Sequence, residues 1–333
     1  MWLLGTARAN LVFFPQPENV PRGYAILSHT WGGEEETFQK VQKLNPSRSS
    51  PPWFNPRDRL TPKVRSFLEL AEKHGYEYAW VDTCCINKES SAELSEGINS
   101  MFRYYAVSTI CYVYLSDVKF SDTNSADMWL DFRTSRWHTR GWTLQELIAS
   151  RVLVFYSEQW ISLGTKYELA ERLENATGIS AEVLRFEIPF TEASIATRIS
   201  WAAHRETTRL EDAAYSLFGL FGVNMPTLYG EGRLAFCRLL MEISKTSRDP
   251  SIFLLGERLD VHGLDNLKSH LQRYPQSQTR RHLLPLQPSP IFNVLCSDNP
   301  KVFYDPSARS QKGTIEVRWY VCHSMPYHID EQF

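Results

Sequence analysis

Four short runs of the chain are apolar almost without interruption: YAILS (24–28), YAWVD (78–82), ICYVYL (110–115) and VLVFY (152–156). Each is rich in β-branched or aromatic residues and too short for a buried helix, so each predicts a central strand covered on both faces. Between them the period becomes helical. Residues 61–74 open on a Thr-Pro start signal, put Val64, Phe67, Leu68 and Ala71 on one stripe, and stop at Gly75. Residues 91–107 place Leu94, Ile98, Met101, Phe102 and Tyr105 on another stripe, with Ser90 or Ser91 as cap. The alternation predicts a parallel sheet wound with crossover helices.

A third helix is predicted at 143–150, within RGWTLQELI (140–148). Gly141 breaks the chain, Thr143 is placed to cap, and Leu144, Leu147 and Ile148 share a face. Trp142 and Glu146 then lie four residues apart on one flank, close enough to meet. From about residue 160 the pattern is mostly helical, at 166–179, 209–222 and 232–245. A stretch rich in Pro, Ser and Asn at 43–60 predicts a long surface loop. Beyond 255 the core signal thins, with IEVRWYVCH (315–323) as a late strand. These shifts divide the chain into an α/β core at 1–160, a helical extension at 161–255 and a poorly defined tail at 256–333. No internal repeat is visible.

Composition narrows the class without assigning a role. With 333 residues, 43% hydrophobic and 22% charged, the chain can bury a sizeable core. A net charge of −2 and a pI near 6.5 give no overall footprint for nucleic acid. No window approaches the ~18 uninterrupted apolar residues that span a bilayer. The N-terminus lacks a basic signal region and reads as a strand or extended lead-in. Six cysteines without a CxxC pair argue for reduced thiols in an intracellular, cytoplasmic setting and against a structural zinc site, so no metal is expected.

In an open α/β sheet, ligands bind beyond the carboxyl ends of the strands. The first predicted strand runs into Ser28-His29-Thr30-Trp31-Gly32-Gly33, the second into Asp82-Thr83-Cys84-Cys85, and the third into Ser116-Asp117. Ser28 and Asp82 are suited to hydrogen-bond a sugar or to order a loop. No GxxxxGK[ST] or GxGxxG occurs. Cys85 invites a nucleophile hypothesis that needs His29 as base; buried packing is the plainer account. Glu146 is either a first-turn charge favoured by the helix dipole or a carboxyl whose pKa an apolar wall raises.

The ordered blocks GYAILSHTWGGEEETFQKV, YAWVDTCCINKESSAELSEGINSMFRYYAVSTICYVYLSDV and SRWHTRGWTLQELIASRVLVFYSEQW closely resemble the HET (heterokaryon incompatibility) domain of filamentous fungi. The later RLEDAAYSLFGLFGVNMPTLYGEG resembles the next segment of those proteins. The resemblance covers about residues 1–255. It implies a role in non-self recognition and regulated cell death when incompatible fungal cells fuse. HET domains are in turn remotely similar to TIR domains, which implies a flavodoxin-like parallel sheet. AILSHTWGG resembles the first TIR strand and its loop. RGWTLQEL resembles the plant TIR segment in which a tryptophan precedes by four the glutamate that cleaves NAD, and these positions fall on Trp142 and Glu146.

The resemblance thus implies Glu146 as the catalytic carboxylate, with Ser28, Trp31, Asp82 and Trp142 around the substrate. Cys85, Glu96, Arg140 and Gln145 belong to the motifs without an assigned role. Cleavage of the nicotinamide–ribose bond expels an already cationic leaving group, so a lone carboxylate suffices. The usual glycosidase needs two. NAD would be substrate rather than cofactor, and no cofactor is expected. Expected partners are further copies of the chain on activation and a sensor protein. The alternative is a non-enzymatic, self-associating signalling module with Glu146 in a structural network around Arg140 and Gln145.

Overall fold

The computed structural model describes residues 1–44, 54–120 and 126–254, together with two short strands near the C-terminus. Seven strands form a mixed sheet in the order β2-β1-β4-β3-β5-β6-β7. They are β1 (Trp2–Gly5), β2 (Leu11–Phe13), β3 (Ala25–His29), β4 (Tyr78–Trp80), β5 (Ile110–Tyr114), β6 (Leu153–Tyr156) and β7 (Ser162–Thr165). The four strands predicted from their apolar runs are the parallel centre, β4-β3-β5-β6, within one or two residues of the expected bounds. The edges are antiparallel: β1 pairs with both β4 and β2, and β7 with β6. Tight antiparallel returns need no crossover helix, so these edges leave no helical signature between the strands.

In chain order the parallel strands lie second-first-third-fourth, the flavodoxin-type winding. After β3 come α1 (Phe38–Lys43) and α2 (Pro62–Lys73); after β4, α3 (Asp82–Cys85) and α4 (Ser91–Val107). The step from β5 to β6 carries α5 (Ala126–Thr134), α6 (Arg136–Thr139) and α7 (Thr143–Ala149). Right-handed crossovers force the first connection onto one face of the sheet and the later ones onto the other, because the chain reverses direction at β3. Side chains report that division. Phe67 of α2 packs edge-on against Tyr112, whereas Trp80 meets Tyr104 and Tyr105 of α4. Trp137 of α6 packs on Phe155, on the same side as Trp80.

The chain continues through α8 (Ala170–Thr177), α9 (Ala181–Leu184), α10 (Ile195–Ser200), α11 (Asp212–Tyr215), α12 (Phe218–Phe221) and α13 (Leu234–Thr246). The helix expected at 209–222 is broken into α11 and α12 around Ser216 and Leu217. Met1–Ala193 and His204–Ser247 form one compact unit; Ser194–Ala203 and the chain from Arg248 form a second. In the second, Asp249 and Ser251 accept from the first amides of α10. The late strand is present as β9 (Tyr320–Cys322), antiparallel to β8 (Lys301–Phe303). The middle of the loop expected at 43–60 and most of the tail lie outside the described residues.

Gly219 fixes how closely α12 approaches α4. A Cβ there would lie 2.0 Å from Cβ and 2.4 Å from Cγ of Phe102. Gly219→Ala should therefore cost about 2–3 kcal/mol, the range for overpacking a tight contact. Urea unfolding of the variant measures it, and an unchanged midpoint would show that α12 and α4 move apart at no cost.

Candidate functional site

Ser28 and His29 end β3, and the alternation of a strand sends their side chains to opposite faces. Ser28 turns toward α7 and donates its hydroxyl hydrogen to Oε2 of Glu146. The same Ser28 oxygen accepts from Nε1 of Trp137 at 2.7 Å. His29 turns toward α2, where the Nζ of Lys63 lies 2.8 Å from Nδ1. An ammonium only donates, so Nδ1 accepts and the ring proton sits on Nε2, which donates to Asp82 at 3.0 Å. The indole of Trp31 donates to the other Asp82 oxygen at 2.8 Å. The site therefore lies at the carboxyl ends of β3 and β4, beside the point where the chain reverses across the sheet.

Glu146 is only 7% exposed, and all of α7 is buried. Two devices hold that helix. At its carboxyl end, buried Lys166 donates to the carbonyls of Leu147, at 2.9 Å, and Ser150, where the helix dipole favours a cation. At the amino end Trp142, rather than Thr143, is the cap residue. Thr143 lies inside the helix, its hydroxyl bonded to the carbonyl of Trp137 at 2.6 Å.

The two carboxyls of the site are driven apart. Burial, reinforced by the negative charge of Asp82, pushes Glu146 up to about 8, against the pull of its bonds to Ser28 and Tyr105 and the charge of Arg205. For Asp82 burial also acts upward, but the His29 ring, through its bond and through any charge it carries, the charge of Lys88 and the Trp31 N–H outweigh it and hold the carboxyl below the usual range. Near neutral pH the site thus holds one fixed anion and one carboxylic acid.

A chain of hydrogen bonds suits the protonated acid. Trp137 donates to Ser28, Ser28 to Glu146, and the Tyr105 hydroxyl, within reach of Glu146, donates to the carbonyl of Leu27 at 3.0 Å. With its hydrogen on Leu27, the Tyr105 oxygen can only accept, so the Glu146 proton completes the chain. On ionisation Tyr105 can turn its hydrogen to the carboxylate. The site then supplies two hydroxyl donors to one anion.

The other motif residues fall in several places. Trp31 is 48% exposed at the rim, with the Lys88 ammonium 3.7 Å over its ring. The Trp142 indole lies toward Asp212 of α11 and favours its ionised form, and the tryptophan that reaches Glu146 through Ser28 is Trp137. The guanidinium whose charge reaches Glu146 belongs to Arg205; Arg140 contributes its backbone carbonyl. Gln145 is buried beside Glu146, its amide nitrogen without a partner among the described residues. Glu96 is exposed on α4. Cys85 is buried, its thiol pushed up to about 12 by burial, and its sulfur accepts from the Val81 amide. That thiol stays protonated and serves as packing. Trp137, Tyr105 and Arg205 were not legible as site residues. Among the described residues no His/Cys/Asp/Glu group is placed to hold a metal, and no helix is long and apolar enough to cross a membrane.

The chain is thus an α/β domain with a mostly parallel central sheet and a buried acid at the carboxyl ends of its strands. Within it, residues 24–130 match the family described as Heterokaryon incompatibility protein (HET). The chain is also 43% identical over 228 residues to Vegetative incompatibility protein HET-E-1 of Podospora anserina. The chain belongs to the HET-domain family. That match takes in 67% of the chain and 16% of the relative, so the chain spans well under a fifth of that protein's length. The family match ends at residue 130, before α7. No solved structure is significantly similar to the chain.

Proposed function

We propose that this HET domain is an effector of heterokaryon incompatibility that, when assembled into oligomers, kills by cleaving the nicotinamide–ribose bond of NAD, with Glu146 as its working carboxylate. The observation that carries the reading is the buried Glu146 carboxyl at the strand ends, hydrogen-bonded by Ser28, within reach of the Tyr105 hydroxyl and facing the fixed negative charge of Asp82. The flavodoxin-type winding agrees with a TIR-like ancestry.

The chemistry rests on the charges. NAD brings a positive pyridinium, and the bond-breaking state carries positive charge on the ribose ring. A cation entering the site favours the ionised form of Glu146, which then meets that charge in a water-poor setting. Asp82 adds a second fixed anion. The exposed Trp31 ring at the rim offers a flat surface to a base. Nicotinamide leaves as a neutral molecule, so nothing need protonate it; a solvent water then bonds to the ribosyl carbon and loses a proton to solvent, giving ADP-ribose.

The test is nicotinamide release by the purified chain at high concentration or under crowding, for wild type, Glu146→Gln and Glu146→Ala. Wild type should release nicotinamide, and its kcat/KM should rise with pH as Glu146 ionises, with its midpoint near pH 8 and a plateau about one pH unit above. Both variants should lose at least ~100-fold. No release from folded, assembled wild type would end the enzymatic reading, and equal release by all three would remove Glu146 from it.

A further inference from the structure

We propose that Arg205 is a positioning residue for Glu146, and that residues 205–212 form a clasp holding the first turn of α7 in its working geometry. The inference rests on Glu146 being the working carboxyl of the site.

Three attachments, all from one short segment, grip residues 139–143. The Glu206 carbonyl accepts from the Gly141 amide at 2.8 Å, and the Glu206 amide donates to Thr139 at 2.6 Å, a fragment of parallel ladder away from the sheet. Nη1 of Arg205 donates to the Arg140 carbonyl at 3.0 Å and to the Thr143 hydroxyl at 2.9 Å. Asp212 lies toward the Trp142 indole, which favours its ionised form. Gly141 is the point of closest approach: a Cβ there would lie 2.4 Å from Cγ2 of Thr207.

A clasp made only to hold a helix end would not choose a buried guanidinium here. Cations are unfavourable at a helix amino terminus, where the dipole is positive. Arg205 is 7% exposed, and burial pulls it down to about 9 while the negative charge of Glu146 pulls it back up. The charge therefore complements Glu146 rather than the helix. The other groups whose influence on Glu146 stands out among the described residues are Ser28 from β3, Asp82 from α3, Tyr105 from α4 and Cys111 from β5, and of these named groups Arg205 alone is a cation. Arg205 thereby makes the ionised state of Glu146 reachable and also sets the angle of the turn that carries it.

The experiment tracks Glu146 itself, by carboxyl infrared or carbon-13 titration of the full chain with Glu146→Gln as the blank. Arg205→Met should move the Glu146 midpoint upward by about one pH unit, and Arg205→Lys by less than half as much. A midpoint in Arg205→Met equal to that of wild type would overturn the proposal. Should Arg205→Met not fold, Thr143→Val keeps the guanidinium but removes one of its anchors. Amide exchange across residues 141–146 should then quicken at least ~10-fold, and unchanged exchange would equally overturn the clasp. Neither readout needs turnover, so a wild type that releases no nicotinamide removes the proposed reaction while the titration still decides the role of Arg205.

Discussion

Glu146→Gln should fold more stably than wild type above pH 5, and the gain should grow with pH. A carboxyl held at about 8 in the folded chain and at 4.5 in the unfolded one keeps its proton on folding throughout that interval. The unfolded state binds fewer protons there, so wild-type stability falls as pH rises from about 4.5 to about 8 and then levels. A shift of this size is worth at most about 5 kcal/mol. Glutamine reproduces the protonated acid: its carbonyl accepts from Ser28 and its amide can donate to Tyr105, with no charge to bury. The variant should therefore match wild type near pH 4 and exceed it by roughly 3–5 kcal/mol at pH 8.5. Urea unfolding at both pH values measures the difference. A constant offset would mean that Glu146 ionises normally in the folded chain, and the account of its burial would fall. The same substitution is expected to abolish NAD cleavage, the pattern of a site that gives up stability for function.

How much could be read in advance depends on the contribution of each residue. β3, β4, β5 and β6 are covered on both faces, so continuous apolarity marked them. Trp2–Gly5, paired on both sides, falls in the N-terminal stretch expected as a strand or extended lead-in, whereas Leu11–Phe13 and Ser162–Thr165 are the edges, and SLGT carries neither alternation nor β-branched enrichment. Their strand character comes from neighbours that pattern cannot supply. Glu146 stood out by its spacing from Trp142 and by the family resemblance; periodicity alone left it open as a first-turn charge. Tyr105 was visible only as part of a buried stripe, although its hydroxyl is what matters at the site. Arg205 lies far along the chain from Glu146 and meets it only through the tertiary clasp. Trp142 drew attention by its spacing from Glu146, yet four residues along a helix specify a shared flank, not the rotamer, and its indole lies toward Asp212.

Trp137 is the residue whose loss should be felt most. Its ring is 1% exposed and packs edge-on against Phe155 and His138, so Trp137→Ala should cost about 3–5 kcal/mol from lost burial and the cavity left behind. Trp137→Phe separates packing from hydrogen bonding. It keeps an aromatic body but removes the only N–H that Ser28 accepts among the described residues, leaving a buried hydroxyl oxygen half satisfied at a cost of about 1–3 kcal/mol. The indole also polarises the hydroxyl that Ser28 offers to Glu146, so the Glu146 midpoint should move upward as well. If the two bonds form one chain, Ser28→Ala added to Trp137→Phe should cost less than the sum of the single changes by about 1 kcal/mol. Strict additivity would show that Trp137 is wall alone, and that the tuning of Glu146 lies with Tyr105, Asp82 and Arg205.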